Sequence, residues 1–192
     1  KEFGDFIALY NSYLVRVRRL ERDSAMEGSG VDQETGLRIP KAIKGDMKRE
    51  LERLERHHTS FCQVMMRIDG FAGQLDQKEA LGLAVENIKK TMRPFDDAYY
   101  MGNGHFLLSM KQTDLIGAEA GINRLRMFLD QDENNTHKMT LSFCIVEPVV
   151  GDEADQMIKN MQQDLNDNLN AKDAVLKSKE ISDLERFIGT MN

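Results

Sequence analysis

The chain has 192 residues, of which 41% are hydrophobic and 30% charged, a balance that suits one soluble domain with an appended helix. The net charge of -6 argues against a nucleic-acid footprint spread over the whole surface, so we expect no nucleic-acid partner. No apolar run approaches the roughly 18 residues of a membrane span, and two cysteines without a disulfide framework fit a reducing compartment. We therefore expect a cytoplasmic segment with no membrane contact of its own, as part of a larger multidomain or membrane-anchored protein.

Residues 5–27 are predicted to form a helix that precedes the globular part. Apolar residues recur there at spacings of four, three, four and three, the pattern of a coiled-coil seam: Phe6, Tyr10, Tyr13, Val17 and Leu20. The seam favours a homodimer through residues 6–20, although a helix docked on its own domain would show the same pattern. The Gly-rich stretch GSGVD at residues 28–32 ends the helix. We therefore predict that residues 1–31 are a signalling or dimerisation helix with its linker.

The globular part alternates helices with strands. The predicted elements are helix 40–58, strand 61–69, helix 79–93, hairpin 99–110, helix 113–130 with Thr113 as its N-cap, strand 139–146, helix 152–169 and edge strand 174–177. This order predicts an α+β fold in which a mixed five-stranded sheet is flanked by helices. A last helix is predicted at residues 178–192, where the apolar residues form a single stripe.

The stretch YYMGNGHFLLSM carries the strongest short-range signal for a hairpin. Asn103-Gly104 lies between two apolar runs and favours a type I′ turn, because both central residues of such a turn need a positive φ. A bare structural turn would also explain the pair. Its meaning therefore depends on the motifs around it.

Four short motifs follow one another along the globular part: DQETGL at 32–37, RIDGF at 67–71, RPFDDAYYMGNGHF at 93–106 and LSFCIVEP at 141–148. Their order and spacing resemble the GGDEF domain of diguanylate cyclases, the enzymes that join two GTP molecules into cyclic di-GMP. The resemblance covers residues 32–177 and implies a nucleotidyl-cyclase-like fold. It places five residues on the family's signature pentapeptide: Gly102, Asn103, Gly104, His105 and Phe106.

The positions that the resemblance aligns with the family's metal-binding carboxylates are not acidic. The family's reaction uses two divalent ions, and Mg²⁺ takes oxygen ligands, usually carboxylates. The aligned positions hold Arg67 and Gly104, and His105 replaces the acidic fourth residue of the pentapeptide. An Arg about 4 Å from Mg²⁺ would repel it by roughly 8 kcal/mol at an effective dielectric constant near 20, and Asp69 alone is too few carboxylates for two ions. We therefore predict no catalytic residue, no metal, no cofactor and no cyclase activity.

RPFD matches the RxxD motif of the family's inhibitory site, at the family's distance from the hairpin. The resemblance implies that Arg93 would pair with a guanine face and a phosphate of cyclic di-GMP, and that Asp96 would accept from guanine N–H groups. A planar guanidinium suits both kinds of contact. A second arginine often completes this site, and Arg124 and Arg126 are the candidates. Alternatively, Arg93 only complements the dipole of the helix that it ends.

The sequence thus predicts a catalytically inactive, GGDEF-like regulatory domain. Cyclic di-GMP would be its ligand, and it would signal through dimerisation or through contacts with an attached or separate protein partner. Two alternatives stay open. One is a ligand-free dimerisation or protein-interaction module, and the other is a GTP-binding pseudo-enzyme in which Arg67 compensates phosphate charge.

Overall fold

Five strands form one sheet in the computed structural model, which describes residues 30–73, 76–168 and 171–177. The strands are β1 (Phe61–Ile68), β2 (Asp97–Gly102), β3 (His105–Lys111), β4 (Leu141–Val146) and β5 (Val175–Lys177). Their order across the sheet is β2-β3-β1-β4-β5. β1 is antiparallel to β3 and β4, β2 and β3 form the hairpin, and β5 is parallel to β4. The predicted mixed five-stranded sheet is confirmed.

Four helices of the described part cover the two faces of the sheet: α1 (Ile43–His57), α2 (Gln77–Thr91), α3 (Leu115–Gln131) and α4 (Ala154–Asp167). α2 and α3 pack on one face, where Ile88 and Val64 share a core cluster. α1 and α4 pack on the other face, where Met161 shares a second cluster with Met65. β1 is buried at all eight positions. This explains why its sequence is largely an apolar run and does not alternate.

The start of α3 differs from the prediction. Asp114 is the N-cap, since its side chain accepts from the Gly117 N–H at 2.8 Å. The Thr113 hydroxyl instead donates to the Lys111 carbonyl at 2.9 Å. The prediction of Thr113 as the N-cap is therefore wrong. A Thr-Asp pair offers two side chains that can cap, and the hydrogen bonds of the preceding strand decide between them.

α2 begins earlier and ends earlier than predicted. It begins at Gln77 because the Asp76 side chain caps it, accepting two backbone N–H bonds at 3.0 Å each. It ends at Thr91. Arg93 precedes Pro94, and a residue before proline is disfavoured in the helical conformation, so the helix cannot continue through it. Arg93 consequently lies in the turn that follows the helix.

The segment before α1 lies along the outer edge of β2. The Arg38 N–H donates to the Ala98 carbonyl, and the Tyr100 N–H donates to the Arg38 carbonyl, each at 3.0 Å. The Arg38 guanidinium forms ion pairs with Asp46 at 2.6 Å and with Asp97 at 2.8 Å. Main chain and side chain of one residue therefore join this segment to the sheet and to α1.

Two predicted segments lie outside the described residues: the N-terminal helix 5–27, with its dimer seam at residues 6–20, and the C-terminal helix 178–192. The predicted edge strand 174–177 is present as β5. None of the helices in the described ranges combines the length and the apolar character that crossing a bilayer requires.

Candidate functional site

The turn between β2 and β3 has the backbone that its sequence predicts. Asn103 and Gly104 both have positive φ, of 51° and 71°. The Gly104 carbonyl accepts from the Ile68 N–H at 2.9 Å, which fixes the turn to the end of β1. The Phe71 ring packs so closely on the turn that a Cβ at position 104 would lie 2.6 Å from its Cγ. The third pentapeptide position therefore has no room for a side chain.

His105 follows the turn and lies opposite Arg67 in the β1–β3 register. Its Nδ1 is 3.0 Å from the Asn103 carbonyl. Burial lowers the pKa of His105, and the charge of Arg67 lowers it further, against the opposing effect of the bond to Asn103. An imidazole carries no negative charge in either protonation state, so His105 does not supply the acid that the resemblance implies.

Arg67 directs its guanidinium into the protein, with 4% of the residue exposed. Nε and Nη2 donate to Oδ1 of Asp69 at 3.3 and 3.2 Å. Nη1 donates to the Leu165 carbonyl at 2.6 Å. Nη2 also lies 3.3 Å from the carbonyls of Asn168 and Ala171. All three guanidinium nitrogens thus contact oxygens of this chain.

Asp69 is equally internal, with 6% of the residue exposed. Its Oδ1 accepts from the Ser142 hydroxyl at 2.8 Å as well as from Arg67. Its Oδ2 accepts from the Thr140 hydroxyl and from the Asp173 N–H, each at 2.9 Å. The carboxylate that the sequence offers to a metal is therefore held by donors of the chain on both oxygens.

The RPFD turn is built around the carboxylate of Asp96. The Asp96 N–H donates to the Arg93 carbonyl, and Oδ2 of Asp96 accepts from the Arg93 N–H, each at 3.0 Å. Oδ1 accepts from the Lys111 N–H at 3.0 Å. A carboxylate has about four lone-pair sites, so about two remain for a ligand.

The Arg93 guanidinium is exposed and stands between two cavities. One, of about 430 Å³, lies between Ser60 before β1 and Gly117 on α3. The other, of about 410 Å³, lies between the end of α2 and Leu37. The guanidinium lies 5.9 Å from the centre of the Phe95 ring, and among the described residues it forms no ion pair.

The two candidate second arginines, both on α3, lie in different surroundings. Arg124 reaches the Thr91 carbonyl at 3.5 Å, two residues before Arg93. Arg126 forms an ion pair with Asp173 at 2.8 Å, in the segment before β5. The structure thus brings Arg124, and not Arg126, to the end of α2 that carries the RPFD turn.

Several solved structures resemble this one, although the sequence matches no protein-family model and no curated protein. The diguanylate cyclase SiaD of Pseudomonas aeruginosa, solved with its activator SiaC, has a TM-score of 0.69 and 21% identity, over 91% of this chain and 77% of that chain. The GGDEF domain of DgcB from Caulobacter crescentus, solved with c-di-GMP, has a TM-score of 0.69 and 16% identity, over 79% of this chain and 94% of that chain. A structure of the coiled coil and GGDEF domain of DgcB, also with c-di-GMP, has a TM-score of 0.68 and 15% identity, over 92% of this chain and 100% of that chain. The protein has the GGDEF-domain fold.

The metal pair that a GGDEF cyclase uses does not fit the residues found here. The guanidinium of Arg67 lies inside, beside Asp69, and Phe71 fills the space next to Gly104. The described ranges hold no group of three or more His, Cys, Asp or Glu side chains that could bind a metal ion. A divalent ion at this end of β1 would meet a positive charge and a carboxylate that is already engaged.

Sequence reasoning aligned Arg67 with a metal-carboxylate position and left Asp69 as a lone acid, and the structure joins the two in an ion pair. It missed the carbonyl oxygens at and after the end of α4 and the packing of Phe71 on the turn. One signal was available, because an arginine within a buried strand needs acceptors. The sequence does not say which part of the chain provides them.

The lowered pKa of His105 predicts a pH dependence of the free energy of unfolding. Between the pKa of the folded protein and the ordinary value of 6.5, the unfolded chain binds more protons than the folded chain. Stability from this residue is complete above pH 6.5 and is lost as the pH falls through that window. We expect His105→Asn to flatten the slope of unfolding free energy between pH 7 and 5.5, measured by urea unfolding. An equal slope in both proteins would contradict this expectation.

Proposed function

We propose that this GGDEF-fold chain is a catalytically inactive regulatory domain that binds cyclic di-GMP at Arg93 and Asp96. The observation that carries the proposal is the state of the Arg93 side chain. It is exposed, has no ionic partner among the described residues, and lines both neighbouring cavities. A guanidinium in that state can be desolvated by a ligand without breaking an ion pair of the protein.

The surroundings of Arg93 suit a purine with a phosphate. The guanidinium fork binds phosphate oxygens or the acceptor edge of guanine in a bidentate way. The Phe95 ring beside it is 49% exposed and offers a stacking surface. The remaining lone pairs of Asp96 would accept from guanine N–H groups, and Arg124 provides a second positive charge near the end of α2.

Two relatives in fold support this ligand and a signalling role. DgcB was solved with c-di-GMP, in one case together with its coiled coil, and SiaD was solved with an activator protein. We propose by analogy that residues 6–20 form a dimerising helix ahead of the domain, in a larger cytoplasmic or membrane-anchored protein. Ligand binding would signal to an attached or separate partner by favouring one arrangement of that dimer.

Calorimetric titration of the whole chain with cyclic di-GMP tests the proposal. We expect micromolar or tighter binding that Arg93→Ala weakens about 10- to 100-fold, because the variant loses charge-assisted hydrogen bonds. Arg93→Lys keeps the charge but loses the fork, so it should also bind more weakly. Arg53→Ala is the matched control, since it removes an arginine from α1 on the opposite face of the sheet.

The same titration with GTP separates the alternatives. A flat response to both nucleotides would support a ligand-free interaction module. Metal-independent GTP binding that weakens in Arg67→Ala would support the pseudo-enzyme. The inward guanidinium of Arg67 argues against the latter, because its donors are engaged by oxygens of the chain.

A further inference from the structure

We propose that the Arg67 side chain is an internal structural cation. It fills an oxygen-lined cradle where a cyclase would hold metal, and it fastens the end of α4 and the segment before β5 to the end of β1. The cradle is shaped for a planar guanidinium and not for a divalent ion. This inference concerns the stability of the fold, and it does not rest on cyclic di-GMP binding.

The cradle is assembled from distant parts of the chain. Its four oxygens are Oδ1 of Asp69 and the carbonyls of Leu165, Asn168 and Ala171, at 2.6 to 3.3 Å from guanidinium nitrogens. The three carbonyls lie 98 to 104 residues beyond Arg67 in sequence. One buried side chain therefore joins segments that are about a hundred residues apart, against the entropic cost of closing such a loop.

The end of α4 has a physical need for this cation. α4 ends at Asp167, so the Leu165 carbonyl is one of the last four carbonyls that lack an intrahelical partner. A positive charge at the carboxyl end of a helix also complements the helix dipole. Arg67 meets both needs with the 2.6 Å bond from its Nη1.

The partner carboxylate extends the same connection to β4 and β5. The Asp69 carboxylate accepts hydrogen bonds from the hydroxyls of Thr140, just before β4, and of Ser142, within β4. It also accepts one from the Asp173 N–H, just before β5. The Arg67–Asp69 pair therefore joins β1, β4, α4 and the approach to β5. Removing only one partner would leave the other charge buried and unpaired, which is strongly destabilising.

The geometry excludes Mg²⁺ as an equivalent occupant. Mg²⁺ requires near-octahedral oxygens at about 2.0 to 2.1 Å and usually keeps several waters. The oxygens of the cradle instead lie around a flat guanidinium and accept from its several N–H groups. A planar cation with donors in fixed directions differs in this respect from a compact metal ion.

Chemical rescue tests the inference. We expect Arg67→Ala to lower the melting temperature by about 10 °C. Guanidinium chloride at about 50 mM should raise the melting temperature of this variant by about 2 to 3 °C, and magnesium chloride of equal ionic strength should not. The parent and Arg56→Ala, which lacks only an exposed ion pair with Glu52 within α1, should show no gain with either salt.

Two outcomes would overturn the inference: an Arg67→Ala protein that melts within about 2 °C of the parent, or equal gains with guanidinium and magnesium. If Arg67→Ala does not fold, a pair of variants decides. Arg67→Met with Asp69→Asn should be more stable in urea than Arg67→Met alone, because no buried carboxylate is left unpaired. Equal stability of the two would show that the ion pair does not hold the fold. Neither result depends on whether cyclic di-GMP binds.

Discussion

Incubation of the chain with GTP and Mg²⁺ or Mn²⁺ is expected to give no cyclic di-GMP above the background without protein. The reason is electrostatic. The Arg67 guanidinium lies where the resemblance implies a metal carboxylate, and it would repel a divalent ion about 4 Å away by roughly 8 kcal/mol at an effective dielectric constant near 20. Asp69 cannot compensate, because the chain's own donors contact both of its oxygens. Chromatographic detection of the product after prolonged incubation measures this directly.

Restoring one carboxylate should not restore the reaction. Arg67→Asp still leaves Gly104 and His105 without negative charge, and it places a second carboxylate beside the buried Asp69. We expect this variant to be inactive and less stable than the parent. Product formation by the unmodified chain would refute the prediction of inactivity, and an active Arg67→Asp would show that position 67 alone removed catalysis.

Gly104→Glu is expected to destabilise the protein by about 2 to 4 kcal/mol. The glutamate would have to adopt a φ near 71°, a backbone conformation that residues other than Gly rarely adopt. Its Cβ would also lie 2.6 Å from the Phe71 Cγ, so the ring would have to move. We expect the urea midpoint to fall by about 1 M or more. An acid at the third pentapeptide position would therefore strain this turn.

Two controls separate backbone strain from overpacking at the turn. Gly102 has a φ of 87°, but a Cβ added there would meet nothing within 4 Å, so Gly102→Ala should cost only about 1 kcal/mol. In a Phe71→Ala background the space at position 104 is vacated, and Gly104→Glu should then cost less than it does in the parent. A cost of Gly104→Glu that is equal in both backgrounds would show that the ring is not the obstacle.

The order of elements and the hairpin could be predicted because their signals are local. The buried run of β1 and the apolar faces of the helices reflect which positions meet the core. Asn103-Gly104 fixes its own turn type, and the structure shows both positive φ values. The short β5 was also predictable, as an apolar stretch close to the end of the globular part.

The surroundings of the candidate site could not be predicted, because they depend on distant parts of the chain. The carbonyl oxygens around Arg67 come from the end of α4 and from the residues that follow it, and no local pattern marks them. The different surroundings of Arg124 and Arg126 follow from the rotation of α3, since residues two apart lie on different faces of a helix. The choice of Asp114 as N-cap depended on hydrogen bonds made by its neighbours.

The attachment of Arg38 to β2 has a mechanical consequence. Arg38 is anchored by two main-chain bonds and two ion pairs. One of those pairs holds Asp97, the residue directly after Asp96. A displacement of the segment before α1 would therefore be expected to shift β2, the strand that follows the RPFD turn. The position of the segment before α1 and the position of that turn are thus linked through a single residue, Arg38.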